Sequence, residues 1–278
     1  MAGFSLRIFL PDGAPDGLRV VEKSNWTGCG IVCPRPLFPT AKSRPEFART
    51  GVYVLLGPPG EGELPEVYIG EGDPIRPRLE QHQAKKDFWM TAICFTSKDA
   101  NLNKAHVQYL ESRLVQLAGE AKRCTLENGN APQLPSLSEA DIADTETFLA
   151  EMLLCFPVLG VTVFEKPEKP AVNAQMLALN IAGVSARGYE SPAGFVVLAG
   201  SEVRGHETPS LQDFVKEQKA ALLANGVLVP RSGGFRFALD YEFRSPSGAA
   251  SLIVGAPANG RTAWKDTVGR TLKEIQEP

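Results

Sequence analysis

Gly51-Val52-Tyr53-Val54-Leu55-Leu56 and Glu66-Val67-Tyr68-Ile69-Gly70 are two short apolar runs separated by a stretch that contains Gly57-Pro58-Pro59-Gly60-Glu61-Gly62. Runs of this length, rich in valine, isoleucine and tyrosine and bounded by glycine and proline, read as buried strands. Strands this close in the chain pair most simply as an antiparallel hairpin. The glycine-rich stretch does not read as a phosphate cradle. It lacks the closing Lys-Ser/Thr, and its two prolines remove N–H donors that phosphates need.

Downstream, residues 75–85 are helical by composition after Pro74, and residues 89–96 read as a third strand. Residues 103–122 carry Val107, Leu110, Leu114 and Leu117 at three- and four-residue steps, the stripe of a core-facing helix. Asn101 or Asn103 is its expected cap. Residues 138–154 read as a further helix capped by Ser138, and residues 158–164 as a short strand. Upstream, residues 4–10 alternate like a strand and residues 17–22 suggest another. Residues 26–45, rich in Gly, Pro and Cys, are expected to be irregular.

The polar, proline-bearing residues 165–170 are the best linker in the chain. Beyond them a strand is expected at 195–199 and a helix at 211–225. One continuous half-buried strand is expected at 235–243, where polar and apolar residues alternate. A helix capped by Ser245 and ended by Gly255 follows, with a turn at Asn259-Gly260. The expected domains are a 1–49 extension, a 50–165 unit and a 171–278 unit. A length of 278 residues fits about two domains.

Composition narrows the classes. Hydrophobic residues make 43% and charged residues 22%, ordinary for a globular chain and too apolar for disorder. No run approaches the roughly 18 apolar residues of a membrane span. The opening residues lack the basic head and apolar core of a signal peptide, so the expected compartment is the cytoplasm and the five cysteines are expected as free thiols. Cys29 and Cys33 have no second pair at zinc-ribbon spacing, and the three histidines are scattered. Net charge is −3 but uneven: residues 51–75 hold five acids and no base, residues 76–123 nine bases and five acids, and residues 126–170 two bases and eight acids. Only the middle block offers a basic face to phosphates.

That block also holds the chemistry. Tyr53 and Tyr68 are followed by Arg78 and His82, one helical turn apart and so on one face. Glu111 lies within the next helix, and Asn128 and Asn130 come after it. Phosphodiester hydrolysis needs a cation on the developing charge, a group to direct the attacking water, and a fixed divalent metal. Arginine grips phosphate oxygens with two prongs. One carboxylate suffices for a magnesium ion that keeps several waters. A tyrosine, with an ordinary pKa of about 10, becomes a base only where a metal or an arginine depresses that value.

In order, these residues resemble the GIY-YIG nuclease family: GVY at 51–53 in place of GIY, an intact YIG at 68–70, then Arg78, His82 and Glu111. The resemblance covers about residues 50–130. It implies an α+β fold with a small three-stranded antiparallel sheet flanked by helices, and a metal-dependent endonuclease acting on DNA. By it, Tyr53 serves as general base or orients the water, and Tyr68 binds the water or the scissile phosphate. Arg78 stabilises the transition state, His82 assists proton transfer or contacts phosphate, and Glu111 is the sole protein ligand of Mg²⁺ or Mn²⁺. The asparagine of the site is Asn128 or Asn130, with Asn128 preferred. The alternative is a non-catalytic nucleic-acid-binding or regulatory protein on the same scaffold, which the acidity around the hairpin favours.

Residues 243–251, Asn259-Gly260-Arg261 and Trp264-Lys265 resemble an uncharacterised domain that follows GIY-YIG modules and, more loosely, the RAMA-type modules of restriction and modification systems. The small Gly248, Ala249 and Ala250 already have a structural reason, close helix approach. The resemblance suggests a second small α+β domain that reads DNA, with Arg261 and Lys265 on phosphate and Trp264 stacked on a base.

Overall fold

The computed structural model describes residues 3–58, 64–99, 101–129, 132–166 and 175–277. Asn130, residues 59–63 of the glycine-rich stretch and residues 167–170 of the expected linker lie outside them. The chain divides into two compact units, with the break between Glu165 and Lys166.

The first unit begins with β1 (Leu6–Phe9), β2 (Arg19–Lys23) and β3 (Gly28–Pro34), then the single turn α1 (Phe38–Ala41). There follow β4 (Gly51–Leu56), β5 (Glu66–Gly72), α2 (Arg76–Lys85), β6 (Thr91–Ser97), α3 (Lys104–Ala121), β7 (Thr125–Leu126), α4 (Glu139–Leu153) and α5 (Cys155–Val158). The expected hairpin is present: β4 pairs antiparallel with β5, setting Tyr53 opposite Gly70. β4 also pairs with β6. Val52, Val54, Val67, Ile69, Ile93 and Phe95 belong to one core with Val107, Leu110 and Leu114 of α3 and Phe148 and Leu149 of α4. Tyr53, Leu55, Ala92 and Cys94 belong to another with Phe38, Phe47, Leu79 and Trp89. Both faces of the central strands are therefore covered, and so they read as continuous apolar runs. Asn103 caps α3 and Ser138 caps α4.

The sheet is larger than expected. It has seven strands in the order β1-β2-β3-β6-β4-β5-β7, not three. Residues 6–34, expected as part of an extension and in part as irregular structure, supply three of them. The glycines that obscured β3 serve its packing: a Cβ on Gly30 would lie 2.8 Å from the Phe95 ring. The strand expected at 158–164 is absent. The chain leaves α5 through Gly160 at φ +79, and Val161, Val163 and Phe164 bury themselves in the helix-side core without a strand partner.

The second unit contains β8 (Leu177–Ile181), β9 (Val184–Ser191), β10 (Gly194–Val197), β11 (Glu202–Arg204), α6 (Asp213–Ala224), β12 (Leu228–Arg231), β13 (Gly234–Phe237) and β14 (Tyr241–Phe243). It closes with α7 (Pro246–Val254), α8 (Gly260–Ala263) and α9 (Leu272–Gln276). Its sheets run β14-β10-β9-β8 and β11-β13-β12. The single strand expected at 235–243 is two, one in each sheet. Between them Asp240 accepts the Ala199 N–H at 2.7 Å and turns the corner. Phe237, Tyr241 and Phe243 still share one core, so the alternation survives the break. Ser245 caps α7, Gly255 ends it in the left-handed region, and Asn259 caps α8. The chain is α+β in both units. Among the described residues no helix is long and apolar enough to cross a membrane.

Candidate active site

Strand alternation puts Tyr53 and Tyr68 on one face of the sheet, on adjacent strands. Their rings stack with centroids 6.4 Å apart. Gly70, directly across from Tyr53, makes this possible: a Cβ there would fall 2.4 Å from the Tyr53 hydroxyl. α2 then brings His82 against both phenols. Tyr53 Oη and His82 Nε2 share a hydrogen bond of 2.8 Å, and the Tyr68 and His82 ring centroids are 4.7 Å apart. One turn earlier on α2, the charge of Arg78 acts on both phenols. Glu111 of α3 also acts on both phenols, and Arg78 acts on Glu111 in return. Five side chains from β4, β5, α2 and α3 thus meet electrostatically.

Burial dominates the proton equilibria. It pushes the fully enclosed Tyr53 phenol far above its ordinary range; Tyr68 and Glu111 add to this, and Arg78 opposes it. The chain's own charges therefore do not make Tyr53 a base at neutral pH. Burial, with the charges of Arg78 and Lys86, lowers His82 to about 4, so its imidazole is neutral. Burial first and Glu71 second raise Glu111 to about 7, against the pull of Arg78 and Lys104.

Glu71 and Lys104 did not figure among the candidates. Glu71 follows Gly70 on β5 and is buried, and Lys104 Nζ donates to both of its carboxylate oxygens, at 2.6 Å to Oε2. The signal was present: Glu71 holds an inward phase of a strand, and Lys104 precedes Glu111 by seven residues, two turns of one helix face. Lys104 neutralises Glu71, whereas the Glu111 carboxylate has neither a hydrogen bond nor an ion pair among the described residues.

That carboxylate suits a hard divalent cation: it is a half-buried oxygen donor with elevated proton affinity and no donor spent on it. Among the described residues no group of three or more His, Cys, Asp or Glu gathers, so an ion here would take Glu111 and complete its shell with water. Asn128 supports the site from behind. Its Oδ1 accepts the Ile69 N–H at 3.0 Å and its Nδ2 donates to the Ile69 carbonyl at 2.8 Å. The amide thereby continues the β5–β7 ladder by one rung, beside Tyr68 and Gly70.

In the second unit the expected stacking role of Trp264 is corrected. Its side chain is fully buried, its indole N–H donates to the Pro246 carbonyl at 3.0 Å, and its ring lies 4.6 Å from that of Phe195. No base can reach it. Arg261 donates to Gln276 at 3.0 Å and Glu277 at 2.6 Å. Lys265 holds β8 through its backbone, exchanging hydrogen bonds with Ala178 at 2.7 and 2.9 Å, and its side chain is exposed.

Residues 177–276 match the family model described as a domain of unknown function, DUF4357. No curated protein and no solved structure matches the chain.

Proposed function

We propose that the first unit is a divalent-metal-dependent endonuclease that hydrolyses DNA phosphodiester bonds. The observation that carries this reading is the meeting of Tyr53, Tyr68, Arg78 and His82 around a Glu111 carboxylate that has no protein donor. Glu111 would hold Mg²⁺ or Mn²⁺, which supplies positive charge at the phosphate and an acidified water. Arg78, exposed at the rim, would grip non-bridging oxygens as charge develops on them. Tyr68, half-exposed, would touch the phosphate or the water. Tyr53 keeps its proton in the resting site and so orients rather than abstracts, with neutral His82 fixing its hydroxyl. The five free, buried cysteines favour work in a reducing cytoplasm.

The test is nicking or cleavage of a panel of plain and modified duplexes with the metal varied. Glu111→Ala and Arg78→Ala should each lose at least about a hundredfold in rate, the scale of one transition-state contact. Either variant retaining full rate removes the role given to that residue. A second reading is a nucleic-acid-binding protein without turnover, favoured by the fully buried, hydrogen-bonded Tyr53 hydroxyl. Binding without cleavage in any divalent metal would select it. The second unit then serves to hold DNA through exposed cations such as Lys265, not through Trp264.

A further inference from the structure

Lys86, like Arg78, is a cation beside the site that makes no ion pair among the described residues. It caps the end of α2 and lies four residues beyond His82 and eight beyond Arg78. Its Nζ stands 4.6 Å from the Tyr68 ring centroid and 5.8 Å from that of Phe88. Three other nearby cations are matched by carboxylates: Arg35 by Asp87, Lys42 by Glu80 and Lys104 by Glu71. Lys86 has no ion pair or hydrogen bond among the described residues. It is half-buried, and its charge reaches the His82 imidazole behind Tyr68. A cation fixed over an aromatic ring and lacking an anion is ready to receive one.

We propose that Lys86 is a substrate-binding residue that takes a backbone phosphate neighbouring the one Arg78 faces. The inference rests on the nuclease reading above and adds to it the direction of the bound strand. Eight residues of helical rise separate Arg78 and Lys86 by on the order of 12 Å along α2, farther than one phosphate spans. The strand therefore runs along α2, across the exposed side of Tyr68, from the arginine end to the lysine end. Lysine acts here as a point charge on a flexible stem, suited to holding a phosphate without fixing its geometry.

The experiment measures binding of a short plain DNA duplex by the full chain in the Glu111→Ala background, as a function of salt. Adding Lys86→Met, which keeps the apolar contact with Tyr68, should weaken binding about tenfold at low salt. It should also reduce the slope of log affinity against log salt by about one. Lys86→Arg should restore both. An unchanged affinity and slope overturns the proposal. So does weaker binding with an unchanged slope, which marks Lys86 as a prop for Tyr68. No binding by Glu111→Ala itself overturns the nuclease reading together with this one, an outcome distinct from the other two.

Discussion

His82 and Glu111 tie the candidate site to stability through their protons, with opposite signs. His82 falls from its ordinary 6.5 to about 4 in the fold. Between those values the unfolded chain binds the extra proton, so this contribution is complete above pH 6.5 and is lost as pH drops toward 4. Glu111 rises from 4.5 to about 7. Between those values the folded chain binds the extra proton, so this contribution grows as pH falls from 7 to 4.5. The two oppose each other over the shared window. Glu111→Gln, in chelator, should therefore lose stability toward acid more steeply than the parent, by on the order of 1 kcal/mol after solvent screening. Urea midpoints from pH 7 to 4.5 would show it, and parallel curves would refute the assignment. Tyr53→Phe should cost about 1–3 kcal/mol, because it leaves His82 Nε2 buried without its partner. Gly70→Ala should displace the Tyr53 ring and lower stability by about 1–3 kcal/mol, read from the urea midpoint.

At the scale of elements, readability followed burial. β4 and β5 were plain in the sequence because each is covered on both faces, and α3 because one stripe is covered and the rest is not. β3 was hidden because a glycine there answers to the Phe95 ring of the neighbouring strand, which no local pattern encodes. Residues 158–164 misled because apolar side chains with no strand to pair with still bury themselves. Residues 235–243 read as one strand because alternation marks faces and is blind to which sheet owns them. Tyr53, Tyr68, Arg78, His82 and Glu111, singled out by order and residue type, do meet in the fold, whereas the Lys104–Glu71 pair depends on packing between α3 and β5. Asn128 shows the same divide: a candidate for the site by its place after α3, it serves as a rung on Ile69. Asn128→Ala should leave both Ile69 backbone groups without this partner and cost about 1–3 kcal/mol. Amide exchange at Ile69 should quicken while β6 stays protected, and uniform quickening would mean that the clamp is not local.

Among the described residues the first unit has two buried cores, on either side of its sheet, and the second unit has one. The candidate metal ligand lies in the first unit alone. A ligand that binds one folded unit stabilises that unit by mass action, by about 2.7 kcal/mol at a hundred times its dissociation constant. Calorimetry of the full chain should therefore show two transitions, only one of which moves up when Mg²⁺ or Mn²⁺ is added. Glu111→Gln should abolish that movement while leaving the other transition in place. The metal-sensitive transition should also gain more from the ion at pH 8 than at pH 6, because an ion must displace the proton that Glu111 holds up to about 7. The same rise in both transitions would indicate weak surface binding spread over the chain. A rise that survives Glu111→Gln would place the ion on other ligands and leave the nuclease reading without its metal.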